Sequence, residues 1–162
     1  MDTDTRLDLI ETRNQLLDLI SGYGQGFDNQ DRDLLHSIWT EDATLTLGPW
    51  GTHEGVDQII AAAEGFWAAS PYMHHWTANP RLEIDLEAGT ATAISALNCL
   101  CTYIETGTFH IGGNYRDSFV RQLDGRWLIA ERILDLAFYT PLPEWKPTQG
   151  SETDLVETGA GA

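Results

Sequence analysis

Four stretches decide how this chain folds: residues 74–85 (HHWTANPRLEID), 90–105 (TATAISALNCLCTYIE), 108–122 (TFHIGGNYRDSFVRQ) and 126–138 (RWLIAERILDLAF). In each, apolar and polar residues alternate with a period of two, as half-buried strands require. The separators Glu87–Ala88–Gly89, Glu105–Gly107 and Leu123–Asp124–Gly125 carry hairpin-turn chemistry. Four long strands in succession therefore form an antiparallel sheet.

Working outward toward the N-terminus, the period changes. Residues 5–29 read as a helix, with Leu9, Ile10, Leu16, Leu17, Ile20 and Phe27 at near-helical spacing and Thr5 with Asp8 as its cap. Gly22, Gly24 and Gly26 weaken its last turns and permit close packing, which leaves Tyr23 and Asp28 beside an opening. A second helix is expected over 31–39, a short strand over Thr44–Leu47, a turn at Gly48–Pro49–Trp50–Gly51 and a third helix over 55–68. Helices followed by an antiparallel sheet predict an α+β domain over residues 1–147. A strongly curved sheet wrapped on helices encloses a cavity suited to a small molecule. Residues 148–162 (TQGSETDLVETGAGA) read as a flexible acidic tail.

The 162 residues are enough for a substantial core, with 42% hydrophobic residues including six Trp, five Tyr and five Phe. A formal charge of −16 against nine Lys and Arg argues against nucleic-acid and anionic-membrane partners. The same charge favours a neutral substrate over an anionic one. Cys99 and Cys101 alternate with Leu100 on one strand, a spacing that reads as two buried thiols in a reducing compartment. The N-terminus lacks the basic and apolar regions of a signal peptide, and no run reaches membrane-span length, so a cytoplasmic protein is expected.

The chemistry-bearing candidates are dispersed. His74 and His75 point to opposite faces of their strand, so at most one of them meets the cavity. Arg132 falls among Leu128, Ala130, Leu134 and Leu136 on one side of the last strand and must find an acceptor there. That acceptor is either a ligand oxygen or a carboxylate, and Asp28 is the carboxylate considered. Tyr23, Tyr103 and Tyr115 can each donate a phenolic hydrogen bond, while Trp50, Trp67, Tyr72 and Phe138 can line an aromatic-accepting pocket. His110 and Asn114 share a strand face and are further candidates to reach the cavity. The five histidines show neither HExxH nor HxH spacing, so no metal and no other cofactor is expected.

Four motifs resemble one family: Tyr23-x4-Asp28; Leu35-x2-Ile38-Trp39-x2-Asp42-Ala43; His75-x3-Asn79-x-Arg81-Leu82-Glu83; and Trp127-x4-Arg132 followed by Phe138-Tyr139-Thr140-Pro141-Leu142. Over about residues 6–142 the chain resembles the SnoaL-like branch of the NTF2-like superfamily, in the group holding scytalone dehydratase, hexachlorocyclohexane dehydrochlorinase and bile-acid 7α-dehydratase. The resemblance implies an α+β cone, a homo-oligomer (trimer or dimer) and an internal Asp–His pair. It makes His75 the general base, Asp28 the carboxylate that orients it, and Arg132 the arginine near the departing group. Tyr23 stands where the dehydrochlorinase carries lysine, which favours an oxygen-bearing substrate over a halide. His110 is the one candidate for the second catalytic histidine of scytalone dehydratase.

These readings converge on a cofactor-independent lyase for a hydrophobic, cyclic or aromatic hydroxylated compound. It would act by dehydration or by a retro-aldol-type cleavage releasing formaldehyde. General-base catalysis of this kind contributes about 10²–10⁴-fold. An isomerase or polyketide-type cyclase, and a non-catalytic binding or assembly module, are alternatives that the sequence leaves open.

Overall fold

The computed structural model describes residues 2–147; the expected acidic tail lies outside the described residues. Helix α1 spans Thr3–Asp28. Its cap is Asp2, whose carboxylate accepts the Thr5 backbone N–H at 2.8 Å, rather than the expected Thr5. Leu16, Ile20, Tyr23 and Phe27, at steps of four, three and four, bury one face of α1. A Cβ on Gly26 would lie 3.1 Å from Leu35 Cβ, so this glycine lets the short helix α2 (Arg32–Ser37) pack directly on α1.

Strand β1 (Trp39–Thr46) begins earlier than the expected Thr44. After a 3-10 turn at Gly48–Trp50, a three-residue strand β2 (Thr52–Glu54) that the sequence reading did not anticipate pairs antiparallel with β1. Helix α3 covers Val56–Ala69. The long strands follow as β3 (Tyr72–Asp85), β4 (Thr90–Tyr103), β5 (Gly107–Arg121) and β6 (Trp127–Pro141). The sheet order is β2-β1-β6-β5-β4-β3, and every pairing is antiparallel except β1 with β6. This is the expected α+β architecture, with β3 at one edge of the sheet.

Besides a register shift between Trp39 and Thr44 where β1 meets β6, three irregularities bend the antiparallel ladder. In β3 the extra residue falls at Asn79–Pro80, where Asn79 takes a positive φ of 53° that asparagine tolerates better than most side chains. In β6 the extra residues are Ala130 and Ala137. The bulge at Ala130 corrects the expected uniform alternation. Trp127 and Ile129, not Leu128 and Ala130, share the buried face with Arg132 and Leu134. That face, with Leu97, Cys99, Tyr115 and Phe119 of β4 and β5, packs against α1 and against Ile59, Ile60 and Ala63 of α3.

Candidate active site

Asp28 is the last residue of α1, and His75 lies on the edge strand β3. An edge strand leaves alternate backbone N–H groups outside the ladder. Asp28 takes one of them: the His75 N–H donates to Oδ2 at 2.7 Å, while His75 Nδ1 lies 2.6 Å from Oδ1. One carboxylate thus fixes both the backbone and the ring of His75. Gly24, one turn before Asp28, makes this approach possible, since a Cβ there would sit 3.2 Å from His75 Cβ. In the tautomer that donates Nδ1–H to Asp28, the other ring nitrogen of His75, a residue that lines the cavity, carries the lone pair. His74 lies on the opposite face of the strand, as expected, with its side chain 60% exposed, its ring edge-on to Trp76 and its Nδ1 3.9 Å from Asp28 Oδ2.

The cavity beside His75 has a volume of about 50 Å³. Tyr23, Trp50, Tyr103 and Tyr115 line it, as the sequence reading expected. The remaining wall is largely apolar: Phe27, Leu47, Phe66, Met73, Leu97, Ile111 and Leu134 join the two cysteines. Both thiols are free, and burial raises both above the usual thiol range, Cys101 to about 11. Cys99 and Cys101 line the cavity because β4 turns its odd-numbered residues toward the helices. The alternation predicts that shared face, but not that it is the cavity face.

The other expected residues lie elsewhere. Trp67 donates its indole N–H to the Phe27 carbonyl at 2.9 Å and braces α3 against α1 outside the cavity wall. Tyr72, His110, Asn114 and Phe138 are on the outer face of the sheet. His110 Nε2 there meets Asn98 Oδ1 at 2.8 Å, and Phe138 is 61% exposed. His110 and Asn114 do share a face, but it is turned away from the helices, so neither reaches the cavity.

Arg132 departs furthest from expectation. It is fully buried, absent from the cavity wall, and paired with Asp117 rather than Asp28. Its Nε and Nη2 donate to the two Asp117 oxygens at 2.6 and 2.8 Å. Its guanidinium carbon lies 4.2 Å from the Tyr23 ring centre and 4.4 Å from that of Tyr115. Burial works against the guanidinium charge, but the Asp117 carboxylate outweighs it and holds the Arg132 pKa above its ordinary value. Asp117 escaped the sequence reading although a signal was present. It is an acid on the apolar face of β5 and the direct cross-strand partner of Arg132. Burial also raises Tyr23 and Tyr115, so both phenols stay protonated well beyond neutral pH. Among the described residues no group of three or more His, Cys, Asp or Glu side chains could hold a metal ion. No described helix is long and apolar enough to cross a membrane.

A base fixed by a carboxylate, opening on an apolar cavity with phenol donors, can move a proton on an uncharged ligand. Known proteins share this scaffold. The hexachlorocyclohexane dehydrochlorinase 1 of Sphingobium indicum is 28% identical over 138 residues, covering 84% of this chain and 88% of that protein. A crystal structure of a type 2 hexachlorocyclohexane dehydrochlorinase superposes with a TM-score of 0.83 at 27% identity, covering 90% of this chain and 99% of that one. A candidate scytalone dehydratase from Novosphingobium aromaticivorans shares the fold, with a TM-score of 0.74 at 22% identity over 85% of this chain and 91% of that one. The SnoaL-like domain matches residues 8–133, and with its NTF2-like architecture the chain belongs to the SnoaL-like family.

Proposed function

We propose that the protein is a cofactor-independent lyase that eliminates water, or a small carbonyl fragment, from an uncharged, hydrophobic, ring-bearing hydroxy compound. The observation that carries this reading is the Asp28–His75 pair, joined at 2.6 Å and opening on an apolar cavity. The relatives named as dehydrochlorinases support an elimination. The cavity's own donors bear on what departs. They are phenols, and the nearby cation is committed to Asp117. A departing chloride needs no proton, whereas a departing hydroxyl needs a donor beside it, and Tyr23 stands edge-on to His75 with ring centres 6.1 Å apart.

In this mechanism the free ring nitrogen of His75 removes a proton from substrate carbon. Asp28 holds the ring in place and stabilises the imidazolium as it forms. The C–O bond breaks, the oxygen leaves hydrogen-bonded to a cavity phenol, and the proton held by His75 completes the water molecule. If His75 instead deprotonates a hydroxyl, the O–H electron pair forms the formaldehyde C=O as the adjacent C–C bond breaks, and the carbon that keeps the C–C pair takes back the proton held by His75. Product masses separate these routes from isomerisation, which conserves mass.

The test is a panel of cyclic hydroxy compounds incubated with the parent protein, His75→Ala and Asp28→Asn, with products read by mass spectrometry. Loss of water or of a fragment is expected with the parent, and turnover about 10²–10⁴-fold lower in both variants. Near-parental turnover in both variants would overturn the mechanism.

A further inference from the structure

We propose that Tyr115 is a second catalytic donor, forming with Tyr23 a two-phenol site for one ligand oxygen, and that the buried Arg132–Asp117 pair positions and polarises both phenols from behind. This rests on the lyase reading above and extends it: the ligand group bound opposite His75 is a neutral oxygen, carbonyl or hydroxyl, on which negative charge develops during reaction.

The argument begins with convergence. Tyr23 comes from α1 and Tyr115 from β5, yet their rings meet edge to face with centres 5.5 Å apart, and both line the cavity that His75 lines. Arg132 stands against both rings, at 4.2 and 4.4 Å, without entering the cavity wall. Its charge is held in place by Asp117 through two hydrogen bonds, so it cannot swing forward to meet a ligand directly. A fixed cation behind two phenols that line the cavity strengthens them as donors. The phenols remain protonated because burial raises both, so they act as hydrogen-bond donors rather than as acids. Preorganised donors of this kind favour charge that appears on oxygen during reaction. Arg132 is then a positioning residue, and Tyr115 the group that touches the ligand.

Para-nitrophenol is a probe of this chemistry because its phenolate absorbs visible light and its phenol does not. On binding, its O–H bond breaks, the proton passes to the free nitrogen of His75, and the phenolate oxygen accepts bonds from Tyr23 and Tyr115. At a pH below the probe's own pKa, the parent should bind it with a clear phenolate band. Tyr115→Phe should lower the bound phenolate-to-phenol ratio by about tenfold or more, as loss of a hydrogen bond to a charged group requires. The double variant Asp117→Leu/Arg132→Met removes both buried charges together, so it keeps the interior paired, and should shift the ratio in the same direction. No probe binding by the parent, or an unchanged ratio in Tyr115→Phe, overturns the two-phenol site. Parental substrate turnover in His75→Ala, with the Tyr115→Phe effect intact, overturns the base assignment and leaves the donor pair standing.

Discussion

Replacing Asp117 with leucine would leave the Arg132 guanidinium in the protein interior without its acceptor. Both side chains are fully buried, and the two hydrogen bonds between them measure 2.6 and 2.8 Å. Arg132 Nη1 already has no hydrogen-bond partner among the described residues, so the variant would leave all three guanidinium nitrogens unpaired. Removing one member of a buried pair costs about 3–5 kcal/mol. In a domain of this size each kcal/mol shifts the melting temperature by about 2–4 °C, so Asp117→Leu should melt about 6–20 °C below the parent. The double variant Asp117→Leu/Arg132→Met removes the stranded charge. Apolar replacement of a buried pair is often neutral or stabilising by about 1–4 kcal/mol, here offset by loss of the cation–π contacts to Tyr23 and Tyr115. The double variant should therefore be more stable than Asp117→Leu alone. Urea unfolding followed by tryptophan fluorescence, with thermal melts by circular dichroism, measures both quantities. A single variant within about 1 kcal/mol of the parent, or a double variant less stable than the single, would refute the burial argument.

Two further outcomes follow from the packing of α1 and β4. Gly24→Ala places a methyl 3.2 Å from His75 Cβ and should lower turnover by up to about 10²-fold through misplacement of the base. Its melting temperature should stay near the parent's, because alanine returns about 1 kcal/mol of helix propensity; parental turnover would show that β3 accommodates the methyl. Stability should also decline on the alkaline side. Burial raises Cys101 from an ordinary 9.0 to about 11, and Cys99 moves the same way, so the folded state keeps protons that the unfolded chain releases. The contribution is full below the unfolded value and is lost as pH rises from about 9 to about 11. Cys101→Ala should flatten part of that decline in urea midpoints taken at about pH 8 and about pH 10, and an unchanged slope would count against the thiol.

Much of the fold was legible because the four long strands carry period-two patterns between glycine-bearing turns, and because Leu9, Ile10, Leu16, Leu17, Ile20 and Phe27 recur at near-helical spacing. β2 was not legible: three residues, Thr52–Glu54, are too few to establish a period, and what makes them a strand is β1 alongside. The Asp28–His75 pair was anticipated from family motifs rather than from local pattern, since no periodicity relates a helix end to a strand 47 residues away. Alternation reported correctly that His110 and Asn114 share a face, and that Cys99 and Cys101 do. It could not say which face meets the helices, so the first pair was misplaced and the second overlooked. For Arg132 the error was local. An unforeseen extra residue at Ala130 exchanged its neighbours on the buried face, while its real partner, Asp117, is fixed only by the register of β5 on β6.

The grip of Asp28 on the His75 backbone also bears on edge-to-edge pairing of β3 with another chain. β3 is a 14-residue edge strand, and an open edge of that length is a template on which another chain can build. Asp28 occupies one of its outward donors, and the bulge at Asn79–Pro80 breaks the line farther along, where proline offers no N–H at all. In the proposed mechanism, the carboxylate that orients the base therefore also shields the strand from cross-chain pairing. Selection against aggregation and selection for proton transfer would then act on the same side chain.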